Sequence, residues 1–293
     1  MFTMDIEEAK AIFEMIGRPK DCKTDRMDPD NNLRSQAIGL FTDSDEYRTL
    51  ISELKRRGIE YEERFTRKYS EEELEAAEFI RIQSGHHWGY PQPEDRHPSY
   101  RDLCYDLSTA CPICRNGARQ KAPLMLKKAP PSRRELWILN WEFEYMLTNR
   151  LASLMCERGF TGCEFWPLLH YRTKREISGW KQLYITHQLP PMSSMTELPI
   201  VSEDSNPELI KQFGEGAKNP PLCPCGKCGR NSPQIIYYDR EHVDRFRDFN
   251  KSAEWLGGGA STWQMKIVSQ RVFRFLREQR LDSGIVFTPI VWA

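Results

Sequence analysis

The segment Thr148–Met155 (TNRLASLM) resembles the segment Ser269–Leu276 (SQRVFRFL) at a constant offset of 121 residues. After a one-residue gap in the alignment, Gly162–Leu168 (GCEFWPL) matches Gly284–Ile290 (GIVFTPI). The first two matching segments carry apolar residues at helical spacing, and the second two have the pattern of a strand. The sequence therefore contains two similar helix–strand segments, and this repeat decides the predicted fold of the second part of the chain.

The boundaries of the two copies also agree. Thr148 and Ser269 are each predicted to be an N-cap, because a hydroxyl satisfies an amide at the start of a helix. Pro167 and Pro289 are predicted to end their strands, because proline cannot donate a backbone hydrogen bond. The alternative is a chance agreement between two βαβ-like segments, and we favour an internal duplication. Each copy is also preceded by a strand-like run, Leu136–Trp141 in one and Trp263–Val268 in the other.

Two CxxC turns precede the copies, Cys111 with Cys114 and Cys225 with Cys228. Two such turns complete the four-sulfur tetrahedron that Zn²⁺ prefers in structural sites. A thioredoxin-like redox role is the alternative, but neither pair stands at a convincing strand-to-helix junction. We therefore predict one shared zinc site with these four cysteines as ligands.

A zinc ion held by both turns would clamp the duplicated halves together, so that metal binding would be coupled to folding. Such a site is closed and leaves no position for a catalytic water, so the zinc is predicted to be structural. The remaining cysteines carry weaker patterns. Cys223 could compete as a ligand and is interpreted as a bystander, Cys156 and Cys163 are predicted core residues, and Cys104 and Cys22 have no visible partner.

Composition limits the class of protein. The 293 residues carry 42 basic and 42 acidic side chains and 39% hydrophobic residues, which is typical of an ordinary folded protein. A net charge of zero argues against binding nucleic acid or lipid by bulk electrostatics. No run reaches the roughly 18 apolar residues that span a bilayer, and the acidic N-terminus does not resemble a secretory signal. We expect a cytoplasmic protein with no membrane partner, in which cysteines stay reduced.

The N-terminal part reads as a small α/β module. A helix is predicted around residues 6–16, and capping-box spacings start two more, Asp43 with Glu46 and Ser70 with Glu73. Gly58 stands where a helix C-cap belongs. Residues 79–82 fit either a strand or an extension of the last helix. Strand-like runs cover residues 36–41 and 59–65.

The predicted organisation has three parts: an N-terminal α/β module over residues 1–83, a linker loop over residues 84–103, and a duplicated zinc-binding domain over residues 104–293. The two repeats would cover about residues 104–187 and 223–293. The predicted fold class is α+β, with α/β as the alternative, and its C-terminal region combines two zinc knuckles with two strand–helix–strand copies.

The zinc turns and their surroundings resemble the double-CxxCG motif family, over about residues 36–292. Arg115 departs from the family pattern, which has glycine after the first CxxC. Family members are small bacterial proteins, some of which are immunity proteins that neutralise toxins encoded beside them. The resemblance therefore implies a cytosolic binding protein without catalysis. The matching segments are Tyr69–Glu78, Tyr105–Ser108, Cys111–Cys114, Cys225–Arg230, Val268–Arg271 and Phe287–Pro289.

No catalytic motif accompanies these features, so we predict that the chain is not an enzyme. His86, His87 and His97 lie in the linker loop and are expected to be exposed; a second metal site with Cys104, or an enzyme site in this loop, is the alternative. Residues 111–134 hold seven basic and no acidic side chains, whereas residues 43–83 hold 12 acidic and 8 basic ones. Opposed charges of this kind suit a protein partner at least as well as DNA, and the family resemblance implies that this partner is a cognate toxin. A zinc ribbon that binds nucleic acid is the alternative.

Overall fold

The structure is a computed structural model, and the chain forms two compact units, Met1–Arg67 and Lys68–Ala293. The predicted helix over 6–16 and the strands over 36–41 and 59–65 lie wholly or partly outside the described residues. The structure describes residues 2–4, 23–24, 34–37, 44–59, 67–84, 86–89, 99–112, 114–139, 143–199, 225, 230–258 and 261–293.

The described residues of the first unit form a three-stranded antiparallel sheet and one helix. Its sheet has the order β1-β3-β2. Helix α1 begins after Ser44, whose side chain accepts a hydrogen bond from the amide of Tyr47 at 3.1 Å, one residue later than the spacing of Asp43 and Glu46 predicts. It ends at Gly58, whose φ of 66° confirms the predicted C-cap. The bounds are β1 Phe2–Met4, β2 Lys23–Thr24, β3 Arg34–Ala37 and α1 Asp45–Arg57.

The second unit contains two larger sheets and a short two-stranded one, so the chain has the predicted α+β class. Its helices are α2 Glu71–Ala76, α3 Tyr100–Cys104, α4 Asn149–Glu157 and α5 Gln270–Glu278, with a 3₁₀ helix over Arg240–Arg245. Its strands are β4 Phe79–Ser84, β5 His87–Trp88, β6 Tyr105–Asp106, β7 Arg119–Gln120, β8 Met125–Leu126, β9 Leu136–Leu139, β10 Tyr145–Thr148, β11 Cys163–His170, β12 Glu176–Ile185, β13 Ile236–Tyr238, β14 Phe249–Gly258, β15 Ser261–Ser269 and β16 Ile285–Trp292.

The five strands of the second sheet match five of the six strands of the first in order and direction, and β5 has no counterpart. The first has the order β8-β11-β12-β10-β9-β5 and the second β13-β16-β4-β15-β14. In each, the strands before and after a nine-residue helix, α4 or α5, are parallel and enclose one antiparallel strand, β12 or β4. We call the first sheet with α3 and α4 the first half, and the second sheet with α2 and α5 the second half. They differ in chain order, because β12 follows its neighbours whereas β4 precedes all of them.

A carboxylate stabilises the start of each helix in the same way. In the first half, Thr148 donates its hydroxyl to Glu135 at 3.0 Å, and Arg150 Nε donates to the same oxygen at 2.8 Å. In the second half, Ser269 donates to Asp248 at 2.7 Å, with Arg271 at 3.3 Å. Each cap hydroxyl also accepts from the amide three residues on, which confirms both predicted N-caps.

Both helices bury their apolar faces in one core. Leu151 and Met155 of α4 meet Phe275 and Leu276 of α5 in a cluster that also takes side chains from both sheets, among them Ile82 of β4. Apolar burial at about 25 cal/mol per Å² makes this shared core the main stabilising contribution that joins the halves.

Residues 68–84 belong to the second unit, so the division falls at Arg67/Lys68 and not at residue 83. Strand β4 lies between β15 and β16, and Ile80 is fully buried there. This pairing shows that residues 79–82 form a strand and not an extension of the preceding helix. The capping box of Ser70 and Glu73 is confirmed. The predicted linker over 84–103 contains β5 and most of α3, and its Tyr100 is fully buried.

The prediction that Pro167 and Pro289 end their strands is wrong, because both lie inside eight-residue strands. Each proline stands where the ladder is already interrupted. The register of β11 against β12 shifts after Pro167, and the pairing of β16 with β4 stops at Pro289. A residue without an amide proton is tolerated at such positions.

The predicted core position of Cys156 is also wrong. Helix α4 buries Leu151, Ala152 and Met155, and Cys156 points away from that face and is exposed. Cys163 is half-buried and packs against the shared core, as predicted.

The repeated carboxylates allow a matched test of stability. Asp248 is buried and also accepts the amide and hydroxyl of Thr161 at 3.0 Å each, whereas the Glu135 side chain is 30% exposed. We expect Asp248→Ala to lower the free energy of unfolding by about 2–3 kcal/mol, and Glu135→Ala by about 1 kcal/mol. Denaturant titration measures both, and equal losses would show that the Thr161 contacts do not stabilise the fold.

Candidate metal centre

Three predicted ligands meet in the second unit. The sulfurs of Cys111, Cys114 and Cys225 all lie within 4.8 Å of one another. The Sγ atoms of Cys114 and Cys225 are 3.6 Å apart, although 111 residues separate them in the chain. Cys114 is fully buried. The fourth predicted ligand, Cys228, lies outside the described residues, as does Cys223.

The first turn is shaped by its own backbone. The amide of Arg115 donates to the carbonyl of Cys111 at 2.8 Å, and the amide of Cys111 donates to the carbonyl of Asn116 at 2.9 Å. Arg115 has a φ of 62°, the left-handed conformation that glycine adopts without strain. The turn thus keeps the conformation that suits the glycine of the double-CxxCG pattern, even though arginine occupies it.

Chain segments next to both CxxC pairs are hydrogen-bonded to one hairpin, β14–β15. Thr262 Oγ1 donates to the carbonyl of Cys114 at 2.7 Å, in a buried position. The amide of Gly257 donates to the carbonyl of Arg230, which follows the second turn, at 2.8 Å. Gly257 and Thr262 are direct cross-strand partners, so a single residue pair binds the carbonyl groups of Cys114 and Arg230.

The three thiols fit a zinc ion. Two sulfurs bound to one zinc at about 2.3 Å in tetrahedral geometry are about 3.8 Å apart. The 3.6 Å between Cys114 and Cys225 is close to that distance, and far longer than the 2.05 Å or so of a disulfide bond. Cys111, Cys114 and Cys225 would hold the metal, and a thiolate set of this kind favours zinc among the common divalent ions.

Cys104 is not part of this group. It is fully buried in a separate apolar cluster of the first half, and its thiol donates to the carbonyl of Pro123 at 3.4 Å. A cysteine of this kind behaves as a small apolar residue.

A second feature, which sequence reasoning missed, lies beside the first turn. A cavity of about 560 Å³ in the second unit is lined by residues of both halves, and we call it the basic cavity. Its one acidic side chain is Glu144, among the described residues. Its basic side chains are Arg101, Arg115, Arg119, Lys251 and Lys266.

Burial perturbs one of these lysines. Lys251 and Lys266 are direct partners on β14 and β15. Burial, followed by the charge of Lys266, lowers the pKa of Lys251 to about 8. Lys266 is paired with Glu144 at 3.0 Å, and its side chain is 5% exposed. One feature of the sequence indicates this buried pair: Lys266 lies inside the mostly apolar run Trp263–Val268.

The histidines do not gather at either feature within the described part of the chain. His86 forms a 2.6 Å hydrogen bond with the carbonyl of Ser283, and is half-buried rather than exposed. His87 is exposed on β5, where its ring meets the edge of Phe143. His97 lies outside the described residues.

The chain matches no protein-family model and no curated protein. The resemblance to the double-CxxCG family therefore stays a prediction. Among the helices that the structure describes, none has the length and apolar character needed to cross a membrane.

We expect Cys114→Ser to abolish stoichiometric zinc binding and to lower stability by several kcal/mol, because metal binding and folding are coupled. Zinc content by mass spectrometry and thermal unfolding with and without a chelator measure the two effects. Cys156→Ser is the matched control, because Cys156 is exposed and outside the sulfur cluster. Unchanged zinc content in the Cys114 variant would contradict the site.

We expect Lys251→Met to raise the free energy of unfolding at pH 7 by about 1–3 kcal/mol. Below pH 8 the lysine is protonated in both states, so the cost of burying its charge is fully present. As the pH rises from about 8 towards the unfolded pKa of 10.5, the folded protein releases the proton first and regains stability. The advantage of the variant should therefore shrink over this range.

Denaturant titrations at pH 7 and pH 10 measure this difference. Lys128→Met, on an exposed residue, is the control and should change stability by less than about 0.5 kcal/mol. A Lys251→Met protein that is less stable than wild type at pH 7 would show that the ammonium group contributes to folding.

Proposed function

We propose that the chain is a non-catalytic zinc-binding protein that acts by binding a protein partner, and that the partner is a toxin which it neutralises. The observation that carries the zinc role is the meeting of the sulfurs of Cys111, Cys114 and Cys225, next to the hydrogen bond that joins Cys114 to Thr262 of the β14–β15 hairpin. With Cys228 as the fourth ligand the coordination shell is closed, so the metal stabilises and does not activate water. The reduced thiols suit a cytoplasmic location.

We propose further that the two halves arose by internal duplication. Their common strand order and their equivalent cap carboxylates, Glu135 and Asp248, support this origin. The glycines that precede β11 and β16, Gly162 and Gly284, also share a left-handed conformation, with φ of 82° and 76°. A zinc ion bound by both cysteine turns would then hold the two duplicated halves in a fixed arrangement.

An aromatic pair on the first sheet supports a protein partner. The rings of Trp166 and Tyr184 stack with their centroids 3.9 Å apart, and both side chains are half-buried. Trp and Tyr of this kind are frequent anchors of protein interfaces. The nucleic-acid alternative depends instead on the basic residues between Arg115 and Arg134.

The test is co-expression of the chain with the toxin encoded beside it. We expect cells to survive, the two proteins to co-purify, and the Trp166→Ala variant to bind the purified toxin at least tenfold more weakly while remaining folded. Cys156→Ser should rescue as wild type does. Failure to bind or to rescue would overturn the immunity role. Steeply salt-dependent binding of duplex DNA, in place of the toxin, would support the nucleic-acid alternative.

A further inference from the structure

The basic cavity places like charges side by side. Lys251 and Lys266 face each other across β14 and β15, an arrangement that destabilises a sheet unless another charge compensates it. Glu144 forms an ion pair with Lys266 at 3.0 Å and acts on Lys251 only as a weaker favourable charge, smaller in effect than burial and the charge of Lys266, which lower the pKa of Lys251. In the part of the chain that the structure describes, no carboxylate lies within ion-pairing distance of Lys251, whose ammonium group stands 5.3 Å from the ring centre of Tyr184.

The whole lining has the same bias. Besides Arg101, four basic side chains and one carboxylate line the cavity in the described part of the chain, and Arg115 likewise has no ion-pair partner there. Such an excess of positive charge in a concave, partly desolvated space attracts anions. The arrangement lowers the stability of the fold. Charged groups in destabilising positions are frequent at sites that bind a ligand.

The cavity also has an aromatic wall. Tyr184, Trp255 and Trp263 contribute to its lining, and each is half-buried. Neighbours hold two of these rings in place: Trp166 stacks on Tyr184, and Phe143 lies 5.0 Å from Trp263 between ring centroids. A planar ring of a ligand can stack on side chains held in this way.

We propose that the basic cavity binds a small phosphate-bearing molecule with a planar ring, the class to which nucleoside monophosphates belong. Lys251, Lys266 and Arg115 hold the phosphate, and Tyr184, Trp255 and Trp263 hold the ring. The volume of about 560 Å³ lies within the range of small-molecule sites. A small ligand fits better than a protein surface, because the side chain of Lys266 is only 5% exposed and is reached from within the cavity.

The cavity shares Tyr184 with the aromatic pair proposed to bind the toxin, so its ligand binding is tested on the full chain by calorimetry in the absence of toxin. The probes are AMP, GMP, CMP and UMP, each compared with its nucleoside and with inorganic phosphate. We expect at least one nucleotide to bind at least tenfold more tightly than phosphate, and its nucleoside to bind no more tightly than phosphate. No saturable binding of any of the four below millimolar concentration would overturn the proposal. Phosphate binding as tight as that of every nucleotide would overturn the role of the ring.

Variants test the residues. Lys251→Met should weaken nucleotide binding at least tenfold. Arg115→Gly should weaken it severalfold without harming the turn, because glycine suits the left-handed backbone at this position. Lys128→Met, on the exposed loop, is the control and should bind as wild type does. Unchanged affinity in both cavity variants would show that the nucleotide binds elsewhere and would overturn the assignment.

Discussion

The hydrogen bond from the Thr262 hydroxyl to the carbonyl of Cys114 joins the first cysteine turn to the strand hairpin of the second half. Gly257, the cross-strand partner of Thr262, donates its amide to the carbonyl of Arg230, two residues beyond Cys228 in the sequence. One residue pair therefore contacts chain segments next to both cysteine pairs, although the two pairs are remote from each other in the chain. Thr262 also lies in the wall of the basic cavity, and Arg115 of that wall directly follows Cys114. The candidate metal centre and the cavity are thus neighbours that share one attachment.

A second constraint acts at the helices. Each of the two long helices of the second unit begins at a hydroxyl that a carboxylate and an arginine hold in place, and the carboxylate comes from the residue before the neighbouring strand. This arrangement fixes the helix start against the sheet, so that the apolar faces of both helices reach one core. The halves therefore share an apolar core. Metal coordination at the cysteine cluster would add to this contact and would secure chain segments that contribute few core side chains.

In the basic cavity, by contrast, the arrangement of side chains lowers the stability of the fold. Buried lysines face each other across two strands, and a single glutamate neutralises one of them. Burial alone would favour an apolar residue at the position of Lys251, as its lowered pKa indicates. A bound anion would offset this destabilisation. Lys251→Met would then raise the free energy of unfolding and weaken the binding of the anion. In a cluster of charge that binds no ligand, the same substitution would raise stability and leave ligand binding unchanged.

The sequence by itself determined the local features: the caps at Ser70, Thr148 and Ser269, the C-cap at Gly58, the two helices of equal length and the cysteine turns. These depend on residues three or four positions apart, so a pattern reveals them. Tertiary structure alone decided that β4 completes the second sheet, that Pro167 and Pro289 lie within strands, and that Cys156 is exposed. It also brought Glu144, Tyr184 and Lys251 into one cavity. Each of these outcomes depends on partners far apart in the chain, and only the pairing of strands and the packing of the halves bring such partners together.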